Sequence, residues 1–212
     1  MIETSDKPAP ATDIDLDLET FGAKEHNPAI VQVAAIATDA DGNVVSEFSE
    51  YVQLESTEYT ASIDSSTILW WMSQPDEARL RLVQGIEGGK HISQVLIEFS
   101  QWYTGVTNGE RDASVWGYGS LSDVLWLRSA YKAATLQVPW DRDGRGYRRE
   151  RCLRTLHTEI GLPWPEFEGI KHDALSDARN QSRHRVDLQG WIKDAHAALS
   201  MQGCYLPPEQ LG

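Results

Sequence analysis

Five side chains in this sequence could share one piece of chemistry: Asp17, Glu19, Asp123, His172 and Asp177. Four of them are carboxylates, the hard oxygen donors that suit Mg²⁺ or Mn²⁺. Hydrolysing a phosphodiester at neutral pH is a reaction that fits such a set. It needs two divalent cations held about 3.5–4 Å apart by oxygen ligands. The fifth residue, His172, stands five positions before Asp177. An imidazole with an ordinary pKa of about 6.5 can take a proton from water near neutral pH.

Taken singly, each residue also has an ordinary explanation. Asp17 and Glu19 are two apart, so on a strand they point the same way, either towards a shared metal pair or as the wet side of an amphipathic strand. Asp123 follows an apolar run that ends in Gly117 and Gly119. Ligands collect at such strand ends in α/β folds, but an acid there can also just meet a helix dipole. Asp177 could be a first-turn acid behind an Asp173 cap, and His172 a surface histidine.

The elements that must position these groups are legible. Asp13 to Leu18 alternates, with Ile14, Leu16 and Leu18 on one side and Asp13, Asp15 and Asp17 on the other. Ile30 to Ala37 is a β-rich apolar run, Asp41-Gly42 is a hairpin signal, and Val44 to Val52 returns as a third strand. Thr67 to Met72, the stretch after Pro75, Ile92 to Tyr103 and Leu121 to Ala134 read as helices. Ser114 to Tyr118 reads as a short strand, and Cys152-Leu153 as a last one before a helix ending at Gly161. A long helix from Asp173 to about Leu199 closes the chain. An antiparallel meander followed by alternating helices and strands predicts an α/β fold, a mixed sheet with helices on both faces. Residues 1–12 read as a loose lead-in, and residues 13–212 as a single domain.

Composition bounds the rest. Hydrophobic residues at 41% and charged residues at 24% are ordinary for a globular protein. No run is long enough to span a membrane, and no basic, apolar leader opens the sequence, so a cytoplasmic location is expected. Two cysteines imply no disulfide framework. A net charge of -13 counts against a module that binds nucleic acid by charge neutralisation alone. It counts less against a metal-dependent nuclease, whose empty site is acidic and whose bound cations reverse the local sign.

In order along the chain, the fragments resemble the three motifs of the histidine-containing DEDD (DEDDh, DnaQ-like) 3'–5' exonucleases. Asp17-Leu18-Glu19-Thr20-Phe21-Gly22 resembles the first motif, Asp123 after Gly117-Tyr118-Gly119-Ser120-Leu121-Ser122 the second, and His172-Asp173-Ala174-Leu175-Ser176-Asp177 the third. Asn27-Pro28-Ala29-Ile30, Thr67-Ile68-Leu69-Trp70-Trp71, Ala130-Tyr131 and Arg151-Cys152-Leu153-Arg154-Thr155-Leu156 look like DexA-type phage and prophage exonucleases, with related bacterial exoribonucleases sharing much of the framework. The resemblance implies an RNase H-like five-stranded sheet. It implies that Asp17, Glu19, Asp123 and Asp177 hold two Mg²⁺ or Mn²⁺ ions, with His172 as the base. It implies attack on single-stranded DNA or RNA 3' ends, DNA favoured, with release of nucleoside 5'-monophosphates, and it admits a homodimer. One departure is Asp15, where these proteins usually carry an apolar residue; it is expected either to support the site or to face solvent.

Substrate contacts are expected from Thr20 within the first motif, from Trp70 and Trp71, and from the arginines. The two tryptophans point about 100° apart on a helix, so one could enter the core while the other stacks on a base. Arg142, Arg145, Arg148, Arg149, Arg151 and Arg154 crowd one stretch of an acidic chain, with Arg148, Arg149 and Arg154 the nominated phosphate contacts. A solvated loop balanced by Asp141, Asp143 and Glu150 is the alternative. Two other functions compete: a catalytically silent interaction module on the same fold, and an oligoribonuclease-like enzyme for short oligonucleotides.

Overall fold

The alternating segment forms β1 (Asp13–Thr20), and neither of its faces is wet. In this computed structural model, which describes residues 9–23, 27–57, 61–109, 113–119 and 122–201, β1 is the middle strand of a five-stranded sheet. On one side lie β2 (Ile30–Thr38) and β3 (Val44–Tyr51), joined to it as an antiparallel meander. On the other lie β4 (Ser114–Gly117) and β5 (Glu150–Cys152), both parallel to it. The order is β3-β2-β1-β4-β5. Every residue of β2 is buried, as expected of a strand covered on both faces. The mixed sheet and the meander match the sequence reading.

Among the described residues there are six α-helices: α1 (Ser65–Met72), α2 (Asp76–Glu87), α3 (Ile92–Val106), α4 (Asp123–Ala133), α5 (Leu153–Ile160) and α6 (Ala174–Met201). In α3 the apolar residues Ile92, Val95, Leu96, Phe99 and Tyr103 recur at helical spacing and are buried. With Val124, Leu127 and Tyr131 of α4 and with Trp140, they pack against Ile14, Leu16 and Leu18 of β1. That is the main core.

α6 covers the opposite face, lying across β1 and β2. Its buried residues are largely polar: Ser176, Asn180, Gln181, Ser182, His184 and Arg185. The reason is its counterpart, the acidic side of β1, since a buried carboxylate must find donors. Asp15 is the example. It neither faces solvent nor joins the metal-type cluster. It is buried and receives Arg185 Nε at 2.9 Å. Arg185 also donates to Thr38 Oγ1 at 2.6 Å and Gln189 Oε1 at 2.7 Å. Asp15→Ala should therefore destabilise the protein by about 3–5 kcal/mol, because it leaves a buried guanidinium with only the more distant Asp13 carboxylate, at 3.8 Å, to balance it. Urea unfolding followed by tryptophan fluorescence measures this; a loss below 1 kcal/mol, the scale of exposed pairs, would show the pair to be screened by solvent.

Three boundaries differ from expectation. The lead-in is shorter than residues 1–12: Ala11 is buried and its N–H reaches Val106 O, while Thr12 N–H reaches Thr38 O, both at 2.9 Å. Residues 1–8 lie outside the described residues. Leu153 begins α5 instead of ending a strand, and Gly161, with φ at +75°, caps that helix in the left-handed conformation that favours glycine. The expected start of α4 at Leu121 lies outside the described residues, and the described helix begins at Asp123. Among the described residues, no helix is long and apolar enough to cross a membrane.

Candidate active site

The carboxylates meet where β1 and β4 end and α6 begins. The register of β1 against β2 shifts between Glu19 and Thr20, and such a bulge re-aims the side chains beside it. Ligand atoms of Glu19, His172 and Asp177 all lie within 4.8 Å of one another. Asp17, one step back on the same face of β1, accepts a hydrogen bond from Gln181 Nε2 at 2.6 Å. Asp123 is the first residue of α4 and is buried. Its carboxylate accepts a hydrogen bond from Ser122 Oγ at 3.1 Å, and the main-chain N–H groups of Leu18, Tyr118 and Asp123 itself pull its pKa down. Gly119 lets this turn close, since a Cβ there would stand 2.4 Å from Ser122 Oγ.

The charges of these acids bear on one another. Burial pushes the Asp17 carboxyl well up, and the charges of Asp123, Glu19 and Asp177 push it further. Glu19 is raised well above its usual value by burial, then by Asp177 and Asp123. Burial raises Asp177 to about 6, against the opposing pull of the His172 N–H. Burial also raises Asp123. A set of acidic oxygens this crowded and desolvated fits divalent cations, which remove both penalties at once.

His172 sits in the left-handed backbone region, with φ at +63°, which is uncommon for a residue with a side chain. Its main-chain N–H donates to Asp177 Oδ2 at 2.8 Å. The next residue fixes the turn. Asp173 Oδ1 receives Arg81 Nε at 2.9 Å, Tyr51 OH at 3.1 Å and Gln32 Nε2 at 3.2 Å, and its Oδ2 caps α6 through Ser176 N–H at 3.1 Å. So β2, β3 and α2 together hold the loop that carries His172. Its ring stands edge-on to Trp70 with centroids 4.8 Å apart. Burial, and then Lys171, lower its pKa, so the neutral imidazole is favoured near neutral pH.

The two tryptophans divide as the helix angle predicts. Trp71 is buried and donates from Nε1 to Thr20 O at 3.0 Å, whereas Trp70 is 42% exposed. A recess of about 330 Å³ beside Glu19 is lined by Thr20, Ser66, Thr67, Trp70 and Trp71. The Thr20 hydroxyl donates to Gly22 O at 2.7 Å, which shapes its own turn.

The arginines divide too. Arg148 and Arg149 lie at the N-terminal end of β5, where Arg149 O accepts from Val115 N–H, away from the strand ends that carry the acids. Arg149 is buried and held by Asp143, through NH1 at 2.9 Å and NH2 at 3.0 Å. The expectation that Arg149 grips phosphate is thus corrected: the ion pair that folds its loop occupies it. Arg148 is exposed beside Tyr147 and is not brought to the acids. Arg154 is brought there, because β4 and β5 run parallel with Gly117 opposite Cys152, so the residues that follow emerge side by side. Its NH2 donates to Tyr118 O at 3.0 Å.

Gln181 went unnoticed in the sequence. It stands four residues beyond Asp177, one helical turn along the same face, which was the available signal.

The same architecture recurs in solved nucleases. The nuclease domain of 3'hExo, described as a DEDDh family member bound to rAMP, matches with a TM-score of 0.54 at 16% identity, covering 92% of this chain and 94% of that one. Cell-death related nuclease 4 (CRN-4) matches with a TM-score of 0.57 at 15% identity, covering 86% of this chain and 65% of that one. E. coli exonuclease I in complex with a dT13 oligonucleotide matches with a TM-score of 0.57 at 18% identity, covering 91% of this chain but 43% of that one. At these identities the likenesses show a shared fold. A family model described as the 3'-5' exoribonuclease Rv2179c-like domain matches residues 12–188, and the chain belongs to that family. No curated protein sequence matches significantly.

Proposed function

We propose that the protein is a metal-dependent 3'–5' exonuclease that removes nucleoside 5'-monophosphates from single-stranded ends, with RNA as its main substrate. The observation that carries this reading is the convergence of Glu19, His172 and Asp177 within 4.8 Å, beside Asp17 and Asp123. The preference for RNA rests on the family's description as exoribonucleases, and it replaces the leaning towards DNA that the DexA-like segments suggest. Asp17, Glu19, Asp123 and Asp177 would hold the ions. Two divalent cations bound there would supply an acidified water and stabilisation of the departing 3' oxygen. Gln181 fixes the Asp17 carboxylate, and the Ser122 hydroxyl fixes Asp123. His172, neutral near pH 7, takes the proton of the attacking water. The recess beside Trp70 receives the terminal nucleoside, with the exposed indole available to its base.

The test is a time course on a 5'-labelled 20-mer and on a dinucleotide, each as RNA and as DNA, with Mg²⁺ or Mn²⁺. The expected result is a ladder shortened from the 3' end, nucleoside 5'-monophosphate as product, faster cleavage of RNA, and arrest by EDTA. No cleavage of any substrate would favour a silent interaction module. Cleavage of the dinucleotide alone would favour an enzyme for short oligonucleotides.

A further inference from the structure

A second cluster, Tyr118, Arg154 and Trp164, stands beside the carboxylates. Tyr118 follows β4 directly, and its main-chain N–H pulls the pKa of the Asp123 carboxyl down. The Arg154 guanidinium lies over its ring, 4.7 Å from the centroid, with the Tyr118 O hydrogen bond holding it there. Arg154 is exposed, and no carboxylate pairs with it among the described residues. Trp164 meets the Tyr118 ring edge-on at 5.4 Å. It is 38% exposed, and its covered side stacks on His184 at 4.1 Å and 27°. His184 is fully buried and shares a hydrogen bond of 2.9 Å with His157, so the indole rests on a rigid backing. A guanidinium with no carboxylate partner among the described residues and a half-exposed indole thus flank a metal-type site, in a chain whose net charge is -13.

We infer that Arg154 and Trp164, with Tyr118 holding the arginine in place, form the subsite for the nucleotide on the 5' side of the cleaved bond, the one that remains on the shortened strand. This inference rests on the exonuclease reading. Two geometric facts support it. The cluster lies at the ends of β4 and β5, whereas the Trp70 recess lies at the end of β1 beside α1, so the acids stand between them. An arginine stacked on tyrosine is pre-organised for phosphate, and an exposed indole face accepts any base, which suits an enzyme that must step along a strand. Arg154 would contact the next phosphate, and Trp164 would take the base.

The experiment compares an RNA 10-mer with the p-nitrophenyl ester of uridine 5'-monophosphate, which carries the terminal nucleotide and a reactive bond but no upstream nucleotide. In Arg154→Ala, and separately in Trp164→Ala, the ratio of kcat/KM on the 10-mer to that on the ester should fall about tenfold or more, mainly through KM; this is the scale of one lost base stack or phosphate contact. Arg154→Ala should also flatten the salt dependence of 10-mer binding by about 0.7 in the log–log slope, as expected for one phosphate contact on a single strand. Arg154→Lys should restore the slope and only part of KM. Arg154 is exposed, so its replacement keeps the test independent of any loss of folding at Trp164. An unchanged ratio and slope in a wild-type background that cleaves both substrates would overturn this inference alone. A wild-type protein that cleaves neither would overturn the exonuclease reading, and this inference with it.

Discussion

Asp123→Asn and Asp17→Asn are each expected to lower kcat by about 10⁴-fold, the scale on which one member of a catalytic unit acts, and to raise the Tm of the metal-free protein above pH 6. The two outcomes have one cause. Asp17, Glu19, Asp123 and Asp177 are pushed up by burial, and Asp17 and Glu19 also by neighbouring carboxylates, so the folded protein holds protons that the unfolded chain releases. A folded pKa above the unfolded one means that stability falls as pH rises between the two values. For Asp177 that window runs from the ordinary carboxylate range to about 6, and for Asp17 and Glu19 it extends upward. Metal-free wild type should therefore melt at a lower temperature at pH 7.5 than at pH 5.5. The Asn variants, lacking one of these charges, should show a weaker dependence. Mg²⁺ or Mn²⁺ should restore the wild type by mass action, and the variants less. Calorimetry with and without EDTA at the two pH values measures this. Equal melting of wild type and Asp123→Asn under all four conditions would mean that the acids do not share a site.

How far the sequence alone reached depended on whether a feature is local. The alternation in β1, the run in β2 and the Asp41-Gly42 turn placed the meander correctly, because strand period and turn chemistry are written in adjacent residues. The helical periods of α3 and the cap at Asp173 were equally visible. What stayed hidden involves partners far apart in the chain. Asp15 looked misplaced because Arg185, its counter-charge, lies 170 residues away. Arg149 is a different case: Asp143 is only six residues away and was a visible alternative, but their pairing depends on a turn that brings the two back together. The contact between Tyr118 and Trp164 was not legible either, since it follows from β4 and β5 running in parallel and from the loop before α6 returning over them. The acids themselves were found because each motif carries its own ligand at a fixed place, even though folding alone brings the motifs together.

His172→Ala is expected to lower kcat by roughly 10²–10⁴-fold, the usual contribution of a general base. In the wild type, kcat should rise with pH as the imidazole loses its proton, with the inflection below the ordinary value of about 6.5. The direction follows from burial and Lys171, both of which disfavour the charged ring, and bound cations would act the same way. The backbone at this position separates the base from two other roles. The His172 main-chain N–H, and not its ring, holds Asp177, so Ala keeps that hydrogen bond and should leave metal affinity nearly unchanged. Ala also lacks the ring that packs edge-on against Trp70, so some loss of stability is expected, and kcat must be referred to folded protein. The left-handed conformation allows a sharper control: His172→Asn keeps a polar side chain that tolerates φ at +63°, yet it has no group that can accept the proton. If Asn restores the Tm of wild type while kcat stays as low as in Ala, the loss belongs to proton transfer. If Asn restores kcat as well, the histidine serves only to shape the loop, and the base must be sought elsewhere. Comparing pH–rate profiles of the three proteins at saturating Mn²⁺ decides between the two, because the wild-type inflection must vanish in both variants if His172 is the group that titrates.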